Sequence, residues 1–275
     1  MKPAVFDYVR AESVEEALEA LHQEGADARI LAGGQTLIPM LNMRMARPSL
    51  VIDIMRISGL DQIESVDTAI RVGATVRQRA LEQDRDLSVR QPLLAAALPW
   101  IGHAQTRSRG TVCGSVAHAD PSAELPLVLV ALNGDIELRS RRRSRRLSAE
   151  HFYSGIMSTA CEPDEMIEAV RFPIARAGTG YAFREVGRRH GDFAIAACAA
   201  VVGQRTARLA VGGVADRPTA RDLPPPEDRT FGEALEAFAA DLEAHDDMHA
   251  TAEYRRHLVR RLGRRTIEEA ARCRG

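Results

Sequence analysis

Between Arg109 and Pro126 the chain reads RGTVCGSVAHADPSAELP, and this stretch constrains the fold more than any other. Small residues (Thr111, Cys113, Gly114, Ser115) form a turn, and the polar pair His118 and Asp120 follows before a proline. A helix start (Ser122, Glu124, Leu125) then leads into a long apolar run. A turn without bulk lets the backbone approach another molecule, because a Cβ would hold the partner off. Successive backbone N–H groups in such a turn, followed by a helix start, predict a concave anion site. A second stretch has the same build: Arg29–Ala32 is a short strand, Gly33 and Gly34 break it, Gln35 and Thr36 are polar, and Leu37–Leu41 open a helix. Strand, glycine turn, helix is the arrangement that sets amides against a pyrophosphate, so a phosphate-bearing cofactor is expected. Neither stretch is the G-x-G-x-x-G fingerprint, and no G-x-x-x-x-G-K-[ST] occurs.

The 275 residues, 45% hydrophobic, suffice for one large core or two modest ones. A net charge of −1 points to neither nucleic acid nor a membrane surface. No apolar run reaches membrane-span length and MKPAVFDYVRAES lacks a signal-peptide core, so a cytoplasmic protein with no membrane span is expected. The four cysteines (Cys113, Cys161, Cys198, Cys273) are widely spaced with no C-x-x-C pair. That argues against an iron–sulfur cluster or zinc ribbon held by this chain alone. If the chain serves an electron-transfer enzyme, the other redox centres belong to other polypeptides.

Ser13-Val14-Glu15-Glu16 is a capping box, and Val14, Ala17, Leu18 and Leu21 repeat at helical spacing until Gly25. Pro48 marks the end of the helix opened at Leu37, and Leu50–Ile54 reads as a buried strand. Ala69–Ala74 alternates like a strand, Thr75 with Gln78 predicts a helix cap, and 91–103 predicts one helix with a kink at Pro99. Glu124–Leu132 is an apolar helix, Asn133-Gly134-Asp135 opens a strand, and Met166–Phe172 is a strand ending at Pro173. Arg139–Arg146 holds six arginines in eight residues. Such a run fits a docking surface for an acidic partner or a solvated hairpin, and the hairpin is the preferred reading.

From about Ala175 the pattern changes. Ala175–Gly180 reads as a linker, and Tyr181–Val186, Phe193–Val202 and Ala207–Val214 as antiparallel strands. Pro218–Pro226 reads as a loop, and Phe231–Glu243 and Ala252–Ala271 as amphipathic helices. A mixed α/β region over 1–175 followed by a sheet covered by helices over 176–275 is therefore expected.

AGGQT (Ala32–Thr36), TVCGS (Thr111–Ser115) and ADPSAELP (Ala119–Pro126) resemble the FAD-binding medium subunit of molybdenum hydroxylases, the xanthine dehydrogenase and aerobic carbon monoxide dehydrogenase family. IGHAQTRSRGT (Ile101–Thr111), EPDEMIEAVRFP (Glu162–Pro173), FREVGRRHGDFA (Phe183–Ala194) and AEYRRHLVRRL (Ala252–Leu262) extend the likeness over essentially the whole chain. The resemblance implies an α+β fold: a two-part FAD-binding (PCMH-type) N-terminal domain of two α/β subdomains, plus a C-terminal antiparallel sheet covered by helices. It also implies that Ala32, Gly33, Gly34, Gln35, Thr36 and Leu37, with Thr111, Cys113, Gly114 and Ser115, flank the FAD pyrophosphate. Ile101, Ala117 and Asp120 fall in the same cofactor-binding segments. Glu124 matches an acidic position near the ribityl or ribose hydroxyls, and Met166 and Ile167 an apolar pair beside the flavin and adenine. Arg184 matches a basic position near the isoalloxazine, and Phe193 lies in a loop that covers one face of the ring, although plain core is the alternative. Two departures stand out: Gln35 where His or Asn is common, and Cys113 where the second loop usually reads T-x-G-G. If that position requires positive φ, a cysteine costs on the order of a kcal/mol or more; otherwise the backbone is ordinary.

No residue reads as acid, base or nucleophile. His245 and His249 stand at i, i+4, but acidic loop-like surroundings favour a plain reading over a metal pair. By resemblance, substrate is oxidised at a molybdenum–pterin centre on a large subunit, and two [2Fe-2S] clusters on a small subunit feed electrons to this FAD. The flavin passes them to an external acceptor, in a dimer of heterotrimers. The alternative is a stand-alone flavin-binding redox module without molybdenum partners; an oxidase using FAD alone carries less weight, since no substrate-facing acid–base residues are evident.

Overall fold

The computed structural model describes residues 2–274. The chain begins with β1 (Asp7–Arg10), α1 (Val14–Glu24), β2 (Ala28–Leu31), α2 (Leu37–Asn42) and β3 (Leu50–Asp53). These strands form a parallel sheet in the order β1-β3-β2. The cap on α1 is present: Ser13 Oγ accepts the Glu16 N–H at 3.1 Å. The reciprocal bond is shifted by one residue, since the Glu16 carboxylate accepts the N–H of Glu12 and not that of Ser13. Ala17, Leu18 and Leu21 of α1 then pack on Ile52 and Ile54.

The middle of the chain runs β4 (Ile63–Val66), β5 (Ala69–Gly73), α3 (Gln78–Glu82), α4 (Leu87–Arg90), α5 (Pro92–Ala97), α6 (Ala104–Arg109), α7 (Val112–His118) and α8 (Glu124–Ala131). It continues with β6 (Asp135–Arg139), β7 (Ser144–Ser148), α9 (Ala149–Phe152), β8 (Tyr153–Gly155), β9 (Ser158–Thr159) and β10 (Met166–Pro173). An antiparallel sheet in the order β4-β5-β10-β6-β7 results, with β8 and β9 as a separate ribbon. Last come β11 (Gly180–Val186), β12 (Ala196–Val202), β13 (Ala207–Gly212), β14 (Thr219–Leu223), α10 (Phe231–Asp241) and α11 (Ala252–Arg272). The four strands form an antiparallel meander. Phe231, Leu235, Phe238 and Ile267 of α10 and α11 cover one face of it. The expected α+β architecture, a mixed α/β part followed by an antiparallel sheet under helices, is the one observed.

Every residue of α8 is buried. A helix that is apolar all round belongs between layers, not on a surface. Here α8 packs on β12 and β13 of the third sheet and on α5 and α7. One continuous core therefore runs from Val72 and Val170 through Leu93, Leu125 and Leu129 to Phe183 and Ala199 on the other face of the third sheet.

Several local expectations are corrected. The small-residue turn over Thr111–Ser115 is the start of a helix, with Thr111 Oγ1 accepting the Gly114 N–H at 3.1 Å. Helix α3 is capped by Arg77 without a side-chain bond, while Thr75 and Gln78 are buried. The helix expected over 91–103 stops at Ala97; Pro99 lies in a 3₁₀ turn over Leu98–Trp100. Strand β12 starts at Ala196, leaving Phe193 in a loop. Within the proline-rich segment, Thr219–Leu223 pairs with β13 as an edge strand, where flanking prolines cost no ladder bond.

Candidate functional site

The C-terminal end of β2, the start of α7, the first turn of α8 and the start of β10 face a cleft of about 890 Å³. Of the residues expected at a cofactor, all but Arg184 line it. Arg184, on β11, is turned to α11, where its guanidinium donates to the Glu269 carboxylate at 2.7 Å. That ion pair accounts for its position.

Two loops make one end of the cleft. After β2 the chain passes through Gly34 at φ 71°, a left-handed conformation that favours glycine. Gly33 touches the second loop: a Cβ there would lie 2.7 Å from Gly110 Cα and 2.9 Å from Thr111 N. The bare side of Gly33 thus faces the other loop, and the two loops can close against each other only with glycine at this point. Among the described residues, the backbone N–H groups of Gly33, Gly34, Gln35 and Thr36 donate to no protein acceptor. The Gln35 amide bends back to donate to Gly33 O at 3.3 Å. A run of free amides lining a cleft suits an anion such as a pyrophosphate.

The second loop is clamped from behind. Gln78 N–H donates to Gly110 O at 2.9 Å and Val112 N–H to Val76 O at 3.0 Å, making an isolated bridge between Arg77 and Thr111. Cys113, Gly114, Ser115 and Ala117 then lie on α7, with Cys113 3% exposed and its backbone outside the left-handed region. Burial pushes the Cys113 thiol up to about 12, so it is an inert packing group. Ile101 is held by Arg107, which donates to Ile101 O at 3.0 Å and Gly102 O at 3.2 Å while its Nε meets Glu82 at 3.0 Å.

Along the cleft, Met166 and Ile167 of β10 supply buried apolar surface. Asp120 Oδ1 accepts the Ser122 N–H at 2.8 Å and Oδ2 lies 4.0 Å from His118 Nε2, which fixes the turn into α8. Glu124 is 6% exposed; burial pushes its carboxyl up to about 7, with Asp120 adding to the shift. At the outer end Phe193 is 68% exposed, so it is a rim residue and not core. Asp120, Gly191, Asp192 and Phe193 also border a second cavity of about 410 Å³. Of the two histidines weighed as a metal pair, His245 Nε2 lies 2.7 Å from Asp216, and His249 borders this second cavity.

Sequence reasoning missed Gln78, Cys161, Glu162 and Glu165, which also line the cleft. The Glu162–Pro173 stretch carried a signal for the last two, while Cys161 lies just outside it and Gln78 carried none: a buried amide on a short helix is ordinary until the fold brings Gly110 against it. The fit to FAD rests on this cleft's own features. Its volume, its free amides at one end and its apolar wall match an elongated cofactor with an anionic centre and flat aromatic ends.

Comparison with known proteins places the chain. The family model described as "FAD binding domain in molybdopterin dehydrogenase" matches residues 4–175, and "CO dehydrogenase flavoprotein C-terminal domain" matches residues 181–270. The 6-hydroxypseudooxynicotine dehydrogenase complex subunit alpha of Paenarthrobacter nicotinovorans is 38% identical, covering 98% of this chain and 96% of that one. The nicotine 6-hydroxylase medium subunit of the same organism is also 38% identical, covering 98% and 99%. Among solved structures, reconstituted CO dehydrogenase from Oligotropha carboxidovorans superposes with a TM-score of 0.93 at 31% identity, covering 99% and 100% of the two chains.

Proposed function

The chain belongs to the family of FAD-binding medium subunits of molybdenum hydroxylases, and from that premise we propose that it relays electrons from [2Fe-2S] clusters on a small partner subunit, through its FAD, to an external acceptor. The observation that carries this reading is the convergence of the two loops, α7, Glu124 and β10 on one cleft. Bound FAD supplies the redox chemistry, since a flavin takes electrons singly and releases them in pairs. The chain's residues hold and orient it. Free amides over Gly33–Thr36 are positioned for the pyrophosphate, with the Thr36 and Thr111 hydroxyls beside them. Met166 and Ile167 exclude water from one wall, and exposed Phe193 marks the end open to an acceptor.

The large molybdopterin-binding subunit and the small iron–sulfur subunit complete this reading, assembled as a dimer of heterotrimers. The names "complex subunit alpha" and "medium subunit" among the relatives support a multi-chain assembly. Relatives are named for nicotine-type and CO substrates, and selection among such substrates would fall to the large subunit. We place the boundary between the FAD-binding part and the C-terminal part at about residue 175, within the 174–179 connection between β10 and β11. A cytoplasmic setting fits four free cysteines.

Purification of the native protein from its source, followed by an absorption spectrum and subunit analysis, tests the reading. Flavin and iron–sulfur absorbance with a larger and a smaller chain co-purifying is the expected result. A single yellow chain without iron would instead establish a stand-alone flavoprotein, and a colourless one would remove the cofactor reading.

A further inference from the structure

Glu124 is a buried carboxyl group that no other residue pairs with. It is 6% exposed at the start of α8 and lines the cleft; its own backbone N–H donates to the carboxylate, and among the described residues no other residue hydrogen-bonds or ion-pairs with it. Its charged surroundings are acidic. Asp120 stands on the turn before α8, and Glu185 faces it from β11. Glu185 is itself 9% exposed, and its Oε2 has no hydrogen-bond partner. Arg107 of α6 is the nearest cation, and it is already engaged by Glu82 at 3.0 Å. On the other elements packed against α8, His118 of α7 is turned to Asp120, and α5 and β12 carry no charged side chain. Arg208 of β13 and Arg221 of β14 pair with Asp222 and Asp241, while Glu150 of α9 lies 4.0 Å from Arg208 and His151 meets Ser148.

A buried carboxylate with acids around it and no free cation is costly to keep ionised, and an anionic ligand entering the same cleft raises that cost. Resting on the FAD reading above, we propose that FAD binding to this cleft takes up a proton, and that Glu124 is the group that carries it. The protonated carboxyl then offers the cofactor an O–H donor in place of a second negative charge. Glu124 lines the cleft and Glu185 does not, so Glu124 is the acid of the pair that faces the ligand. Burial, with the charge of Glu124 adding to it, pushes the Glu185 carboxyl up as well.

Linkage gives the sign. The folded carboxyl of Glu124 is raised above its ordinary value and is raised further with FAD present, so affinity is greatest at low pH and falls as pH rises through neutrality. One linked proton weakens binding by at most about tenfold per pH unit. The test is calorimetric titration of the full chain, freed of flavin, with FAD at about pH 7.5, on the ionised side of the Glu124 value of about 7, in buffers of different ionisation enthalpy. Net uptake of a substantial fraction of a proton is expected, disappearing in Glu124→Gln and persisting in Glu185→Gln. Thermal melting of both isosteric variants at pH ~6 verifies that they fold, since both acids are neutral there. FAD binding without proton uptake in the parent protein overturns this inference alone, as does uptake that survives Glu124→Gln and vanishes in Glu185→Gln. No FAD binding in any buffer overturns the cofactor reading and this inference with it.

Discussion

At position 113 a cysteine stands where the resemblance leads one to expect glycine, and the backbone accounts for it. Cys113 sits in the first turn of α7 with no left-handed φ, is 3% exposed, and places its Sγ 3.5 Å from Val72 O. A side chain is therefore accommodated and packed here, so restoring glycine should do harm. Cys113→Gly is expected to cost about 1–2 kcal/mol from helix entropy and the cavity left behind. Thermal denaturation should show a lower midpoint with FAD affinity unchanged; tighter FAD binding in the variant would mean that the thiol obstructs the site. The residues legible in the sequence were those whose type is forced by backbone geometry, such as Gly33 and Gly34. Gln78 and Glu185 were not legible, because a polar residue acquires its role only when folding sets it against Gly110 or Glu124.

On the scale of single elements, the arginine-rich hairpin of β6 and β7 resolves a choice that sequence left open. Arg139 meets Glu15 and Glu168, Arg141 meets Glu19, and Arg145 donates two bonds of 2.7 Å to Glu165. Most of the run is thus spent on the chain's own carboxylates, which ties the hairpin to α1 and to the segment before β10. Burial pushes the Glu165 carboxyl up, but hydrogen bonds from Arg145 and the Glu162 N–H, with the charges of Arg145 and Arg143, outweigh it and hold it below its ordinary value. Its contribution is present above the ordinary carboxylate range and is lost as pH falls through the lowered value. Glu165→Gln should cost roughly 2 kcal/mol near neutrality, since Arg145 loses its charged partner. The cost should shrink towards acid; urea unfolding at several pH values would read this, and a pH-independent difference would refute it. Elements with a strong period or a long apolar run, α1 and α8 among them, were readable. Helix α6 (AQTRSR) was not, because it has no apolar face and is held by packing on α3 and the Arg107–Glu82 pair; β14 was hidden by the prolines that bracket it.

Across the whole molecule, the change of pattern near Ala175 marks a change of architecture but does not mark a division of the core. Phe183, Ala197, Ala199 and Ala210 of the third sheet belong to the same buried cluster as Leu93, Leu125 and Val128. Remove everything after the connection and α8 loses β12 and β13, leaving a helix apolar on every side facing water. A contiguous apolar face of that kind drives association, and losing one of its two covering layers removes several side chains' worth of burial at about 1.5–3 kcal/mol each. A fragment ending at residue 175 should therefore fail to fold on its own, even though a family model covers 4–175. The cleft should fail with it, since Glu124 begins the exposed helix and Phe193 lies beyond the cut. Expression of the fragment should give aggregated or dye-binding protein without near-ultraviolet circular dichroism, while the full chain unfolds in one cooperative transition. A soluble fragment with native-like aromatic dichroism and FAD affinity would show that α8 is stable without the third sheet, and that the core divides where the sequence pattern does.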